Sequence, residues 1–156
     1  MIANKVDKPI AADVARGVIR ILAREDCLAV EEVSLGNGRR VDLMALCPRG
    51  LVTIVEIKVS RADLLSDSKW TDYLAYCDRF FWAVPAGFDT VLLERSDLLP
   101  QRAGLIVADR YAGAIVRPAP VIALSAPRRK AETLRFARRA ARRLIGSIDD
   151  SALPSL

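Results

Sequence analysis

The sequence contains no histidine. This excludes Ser-His-Asp and Cys-His catalysis and any histidine-ligated zinc, so acid–base or metal chemistry must rest on carboxylates, lysine, tyrosine or water. Cysteine is sparse. Cys27, Cys47 and Cys77 are far apart, form no Cys-x-x-Cys, and read neither as a disulfide framework nor as a zinc site. Cys77 lies on an apolar helix face and reads as core. No uninterrupted apolar run is long enough to span a bilayer. Met1 to Pro9 is charged and lacks the apolar stretch of a signal peptide. The expectation is a cytoplasmic protein with no membrane partner.

What is present is enough for a real core. The 156 residues are 52% hydrophobic, and a domain of about 150 residues buries about 68–70% of its extended-chain surface. One domain over 1–156 is expected, with 1–8 and 147–156 as frayed tails. The net charge of +5 is unevenly distributed. Residues 128–143 hold eight bases and one acid, Glu132, a net +7 that leaves −2 for the remainder of the chain. The basic character therefore belongs to one element.

Ile10, Val14, Val18, Ile21 and Leu22 recur at helical spacing and predict a helix over 9–25. A short strand, Glu31 to Leu35, precedes the turn signal Gly36-Asn37-Gly38. Val41 to Leu46 and the β-branched run Leu51 to Val59 read as two more strands around Pro48-Arg49-Gly50. Ser60 and Asp63 resemble a capping box, and Trp70, Tyr73, Leu74 and Cys77 extend a helix over much of 61–77. Arg79 to Val84 is a buried strand closed by Pro85, and the helical crossover suggests that it pairs in parallel. Thr90 to Leu98 is a short helix or a loop. Leu105 to Asp109 and Ala114 to Arg117 form a further pair of strands, 118–127 a connector, and 127–146 a long helix. The order implies a mixed sheet flanked by helices.

The chemistry concentrates on the second and third strands. Side chains alternate faces along a strand, so Asp42, Met44 and Leu46 share one face, and Val52, Ile54, Glu56 and Lys58 another. A five-residue turn pairs Leu46 with Val52, Met44 with Ile54 and Asp42 with Glu56, with opposed Cβ atoms about 4.5–5.5 Å apart. Apolar residues on both faces of the third strand mark it as central. Two carboxylates that close repel unless a positive charge lies between them. A divalent metal fits, because Mg²⁺ is held by one or two carboxylates together with phosphate oxygens and water. Lys58, next on that face, can approach a phosphate or an attacking water. Charged residues near a strand end also commonly just face solvent.

Strand-Asp, turn, strand-Glu-x-Lys, helix, strand resembles the core of the PD-(D/E)XK, or restriction-endonuclease-like, superfamily, with Val41 where a proline often precedes the Asp. The runs Gly38-Arg39-Arg40-Val41-Asp42, Val55-Glu56-Ile57-Lys58, Asp67-Ser68-Lys69-Trp70, Tyr73, Cys77-Asp78-Arg79 and Gly104 to Asp109 resemble the bacterial MmcB-type DNA repair proteins over nearly the whole chain. The resemblance implies an α/β fold with an α-β-β-β-α-β core and a C-terminal Arg-rich helix. It implies an endonuclease role in DNA repair or damage tolerance. It implies Mg²⁺ or Mn²⁺ held by Asp42, Glu56 and the backbone carbonyl of Ile57, with Lys58 orienting or activating water. By the same resemblance Glu32 is the candidate upstream acid, with Glu25 and Glu31 as alternatives, and Lys69 the candidate polar residue from the following helix.

DNA is the expected partner, with nucleoid association when bound and other repair proteins as further partners. On the basic helix, Leu134, Ala137, Ala141 and Leu144 form one apolar face. Arg128, Arg129, Arg135, Arg138, Arg139, Arg142 and Arg143 project mostly elsewhere and can follow a phosphate backbone. Arg39, Arg40 and Arg61 lie close in sequence to the carboxylates and are candidates for positioning the scissile phosphate. Trp70, Phe80, Phe81 and Trp82 read as core rather than base-stacking platforms. The competing reading is a non-catalytic DNA-binding or adaptor protein of the same fold that recruits repair partners.

Overall fold

Residues 10–148 are described by a computed structural model. The expected tails at 1–8 and from 149 onward fall outside the described residues. Ser147 and Ile148, expected in the C-terminal tail, instead complete the last helix.

A single mixed sheet carries six strands in sequential order. Strands β1 (Leu28–Ser34), β2 (Arg40–Leu46) and β3 (Val52–Ile57) form an antiparallel meander. β4 (Arg79–Val84) and β5 (Ala103–Ala108) then continue in parallel, and β6 (Gly113–Arg117) closes the far edge antiparallel. The observed β2–β3 register, Leu46 with Val52 and Met44 with Ile54, is the one that the five-residue turn predicts. Gly38 takes the left-handed conformation that the β1–β2 turn requires, at φ +80°.

All six residues of β3 are buried, as a central strand covered on both faces must be. Helix α1 (Ala11–Arg24) covers one face, setting Val14, Val18 and Leu22 against Leu43, Val55, Phe81 and Ile106. Gly17 permits that approach, because a Cβ there would lie 1.9 Å from the Asp109 carbonyl oxygen. The opposite face carries Ile54, Leu64, Tyr73 and the aromatic group of Trp70, Phe80 and Trp82. The three rings stand 5.0–5.3 Å apart by centroid, which makes these residues core, as expected.

The expected helix over 61–77 is broken. Helix α2 spans Arg61–Ser66, capped by the Ser60 hydroxyl, which accepts the Asp63 N–H at 3.1 Å. A 3₁₀ helix follows at Trp70–Tyr76. Between them the Asp67 side chain accepts the Lys69 N–H at 2.9 Å. This local turn competes with helix propagation, and apolar spacing alone does not reveal it.

A second correction concerns sulfur. Cys27 and Cys47 form a disulfide, with Cα atoms 4.1 Å apart. The β1–β2 register pairs Leu28 with Leu46, so the residues just beyond each strand end stand opposite one another. A separation of 20 in sequence becomes a cross-strand neighbour. The Arg79 guanidinium lies 3.5 and 3.3 Å from the two sulfurs. Cys77 is fully buried, as expected.

Helix α3 (Ala126–Ile148) crosses β1, β2 and β3 on the aromatic face. An amphipathic helix ordinarily docks by its apolar stripe. This one does not. Leu134 and Leu144 are 57% and 64% exposed, and Ala137 and Ala141 are exposed too. Its one fully buried residue is Glu132. The Arg129–Asp78 ion pair and Phe136 hold it down instead. At its start, Arg129 donates to both carboxylate oxygens of Asp78 and, at 2.7 Å, to the Gly50 carbonyl.

Candidate active site

The site lies where the β2–β3 ladder ends. Backbone pairing runs as far as Leu43 with Val55. One step further, the carboxylates of Asp42 and Glu56 take over the ladder's work. The Asp42 N–H donates to Glu56 Oε1 at 2.9 Å, and the Ile57 N–H donates to Asp42 Oδ2 at 2.7 Å. Each acid thus grips the opposite strand's backbone. Neither Asp42 Oδ1 nor Glu56 Oε2 is engaged by these bonds.

Four charged side chains are buried among the described residues: Glu56, Lys58, Asp78 and Glu132. A buried charge is costly unless paired. Asp78 has Arg129, Glu132 has Arg135 at 3.2 Å, and Lys58 has Asp67 at 2.9 Å and Asp63 at 3.7 Å. Glu56 differs: among the described residues it has no ion-pair partner, what lies against it is a second carboxylate and one N–H, and the Lys58 charge only partly offsets them. Burial, and then the charge of Asp42, push the Glu56 carboxyl up to about 8. Burial likewise raises Asp42, against the Ile57 N–H and Lys58, with Asp63 and Glu32 adding to the rise. The pair therefore favours either a retained proton or an external cation.

Lys58 is 8% exposed, and its backbone N–H continues the β3–β4 pairing onto the Ala83 carbonyl at 2.9 Å. Burial alone would lower its pKa, but the Asp67 hydrogen bond and charge, with Asp63 and Glu56, outweigh it and raise the pKa, favouring the charged ammonium. Asp63 and Asp67 were not among the expected site residues. The signal was present, since both lie within one helical turn and an Asx turn after the Glu-x-Lys strand. Tyr73 is the other addition. It is buried, and burial followed by the charges of Glu56, Asp67 and Asp42 pushes its phenol up to about 12.

Of the other expected residues, Glu32 falls opposite Asp42, between the pairs Glu31–Leu43 and Val33–Val41. Its φ of +51° is left-handed, a conformation that non-glycine residues adopt at a cost. Arg40 stands 4.0 Å from its carboxylate. Glu25 caps the end of α1, and Glu31 accepts a hydrogen bond from Arg143 at its backbone carbonyl. Lys69 is exposed, and it reaches the site through its backbone N–H on Asp67. Arg39 is tied to Asp72 at 3.2 Å, while Arg61 is exposed at the start of α2.

The basic helix divides in two. Arg128 stacks on the Tyr76 ring, 4.6 Å from its centroid, and Arg129 is committed to Asp78. Arg138, Arg139 and Arg142, with Arg135, line a cleft of about 410 Å³ against Val33 and Ser34 of β1. The buried Nε of Arg139 has no hydrogen-bond partner there. This cleft begins one residue along β1 from Glu32.

Among the described residues no three carboxylate, cysteine or histidine side chains converge, and no helix is long and apolar enough to cross a membrane. No curated protein matches the chain. The structure resembles that of the SPO1766 protein of unknown function from Silicibacter pomeroyi, with a TM-score of 0.83 and 42% identity, covering 96% of this chain and 98% of that one. The model of the MmcB-like DNA repair protein family matches residues 3–151, so this chain belongs to that family.

Proposed function

We propose that the protein is a divalent-metal-dependent DNA endonuclease acting in repair, with Asp42, Glu56 and Lys58 as its catalytic residues. The observation that carries this reading is the buried Glu56 carboxylate, which faces Asp42 and forms no ion pair of its own among the described residues. A fold does not keep such a pair for stability, because two like charges in a poorly solvated site destabilise it.

The donor set suits Mg²⁺ or Mn²⁺. It offers hard oxygens only: Asp42, Glu56 and the carbonyl of Ile57, leaving the remaining positions for water and phosphate oxygens. Two side-chain acids are compatible with the absence of a three-ligand cluster among the described residues, since Mg²⁺ keeps several waters. When bound, such an ion would polarise a phosphoryl oxygen and acidify water. The chain's own residues supply the rest. The backbone bonds between Asp42 and Glu56 fix the two acids on a rigid strand pair. Lys58, held by Asp67, sets a fixed positive charge beside the place where a scissile phosphate gains charge. The Arg138–Arg139–Arg142 cleft provides sequence-independent contacts to neighbouring phosphates.

Cleavage of branched, gapped and single-stranded DNA with Mg²⁺ or Mn²⁺ tests the proposal. Activity is expected in the natural chain and its loss in Asp42→Ala, Glu56→Gln and Lys58→Ala. Unchanged cleavage in those variants would overturn it.

One observation favours a second reading. Lys58 is paired with Asp67 and Asp63 within the protein, which is also what a DNA-binding protein with a silent site would show. That reading expects salt-sensitive DNA binding with no cleavage under any divalent ion.

A further inference from the structure

We infer that the cleft between α3 and β1 takes a single-stranded segment of DNA and leads it to Asp42 and Glu56, so that the substrate is DNA with an unpaired arm or gap. This rests on the nuclease reading above and narrows its substrate. Among the described residues Arg138, Arg139 and Arg142 form no ion pair, whereas Arg128, Arg129 and Arg135 of the same helix each have a carboxylate partner. The Arg139 Nε is buried in the cleft without an acceptor. Cations gathered without a counter-ion suit a polyanion. The rest of the wall is apolar, formed by Val33, Ala131 and Leu134. Phosphates need the cations, and the flat face of a base needs an apolar surface or a guanidinium plane. The cleft offers both together.

A duplex uses only half of this surface. Its base faces are stacked inside, and its outside offers phosphates and groove edges. One backbone of a duplex laid on the arginines would leave Val33 and Leu134 uncovered. Nor is α3 built to enter a major groove. The residues it turns away from the sheet are Leu134, Ala137, Ala141 and Leu144, and base edges are read by polar side chains. The cleft, at about 410 Å³, falls in the range of about 300–1,000 Å³ typical of small-ligand sites. It has room for a splayed nucleotide and none for a double helix.

The cleft also leads to the carboxylates. Its β1 residues, Val33 and Ser34, pair with Val41 and Arg40, the two residues before Asp42. Val33 packs with Met44 and Ile54 on the aromatic face, and Glu56 follows Ile54 on that side of β3. Cleft and acids therefore share one face of the sheet. β1 is an edge strand, one strand from Asp42 and two from Glu56, about 5 and 10 Å away. A single strand entering at this edge can turn across so short a span. A duplex, with a persistence length of about 150 bp, cannot. Arg143, donating to the Glu31 carbonyl, ties α3 to β1 beside the cleft.

Fluorescence anisotropy with Ca²⁺ in place of Mg²⁺ reads binding apart from cleavage. The probes are a labelled single strand, the blunt duplex of the same sequence, and that duplex with an unpaired arm. The full chain is expected to bind the single strand and the armed duplex about 10-fold more tightly than the blunt duplex at one salt concentration. Leu134→Ala trims the apolar wall without changing charge, at a residue 57% exposed. Arg142→Ala removes one cation. Each is expected to shrink the preference about 5-fold, with the circular dichroism spectrum unchanged. Equal affinity for single strand and blunt duplex, or a preference that survives both variants, would overturn the proposal. Cleavage of blunt duplex that needs Asp42 and Glu56 would in that case leave the nuclease reading standing. A single-strand preference lost in both variants, with no cleavage under any divalent ion, would sustain the cleft and overturn the nuclease reading alone.

Discussion

Lys58 Nζ lies 2.9 Å from Asp67 Oδ2, and the backbone after Asp67 is shaped by its other oxygen, which accepts the Lys69 N–H. One aspartate thus breaks the helix and orients the lysine. In Asp67→Asn, shape is kept while the charge that holds the ammonium is lost. Cleavage should fall about 10-fold, less than the roughly 10²–10³-fold expected on removing an electrostatic stabiliser in Lys58→Ala. The double variant should be no worse than Lys58→Ala alone, because coupled residues are not additive. Single-turnover rates decide this. An Asp67→Asn loss that multiplies with Lys58→Ala would mean that Asp67 acts independently of the lysine.

The Glu56 carboxyl predicts a pH dependence of opposite sign to that of most acids. Its pKa is raised from 4.5 to about 8 by burial and by Asp42. A group with a raised folded pKa contributes stability that is fully present below the unfolded value and is lost as pH rises through the folded one. Metal-free protein should therefore be more stable to urea at a pH of about 5 than at about 8.5. Glu56→Gln should flatten that slope. Added Mn²⁺ should restore stability at the higher pH in the natural chain and not in the variant. Equal slopes in both proteins would show that Glu56 is not the group responsible.

The sheet was legible because its signals are local and periodic. Turn chemistry at Gly36-Asn37-Gly38 and Pro48-Arg49-Gly50 fixed the register, and the register placed Asp42 against Glu56. The elements that escaped depend on contacts distant in sequence. Asp67 looks like any polar residue until Lys58 is beside it. Cys27 and Cys47 become neighbours only once β1 and β2 pair. The apolar stripe of α3 implied an inward face, and it took the buried Asp78, paired with Arg129 of the helix, to turn the helix over. Periodicity finds a helix's apolar face; it cannot tell which face the rest of the chain will cover.

Asp78 and Arg129 should prove structural. Asp78 is fully buried and accepts N–H groups from Val52 at 2.7 Å and Leu124 at 2.8 Å as well as the guanidinium. Burial works against its charge, but Arg129 and the two N–H groups together outweigh that and hold its pKa below the usual value. Arg129→Ala should cost about 3 kcal/mol in urea unfolding, because it strands a buried charge. The stabilisation attached to a lowered carboxyl pKa is present above the unfolded value and lost as pH falls through the folded one. The gap between Arg129→Ala and the natural chain should therefore narrow below about pH 4. A loss under about 1 kcal/mol at neutral pH would show that α3 is not anchored through this pair.

The same division of the arginines predicts two classes of DNA-binding defect. Arg138, Arg139 and Arg142 line the open cleft, whereas Arg128 and Arg129 are engaged with Tyr76 and Asp78. Removing one cation from a duplex phosphate should reduce the slope of log K against log salt by about 0.9. Arg139→Ala and Arg142→Ala should each lower affinity across all sequences and flatten the slope by about that amount, with folding intact. Arg128→Ala should leave the slope unchanged, and any weaker binding in it should track reduced stability. Titrations by fluorescence anisotropy at several salt concentrations separate the classes. Equal slope changes in Arg128→Ala and Arg142→Ala would place DNA along the whole helix instead of in the cleft beside β1.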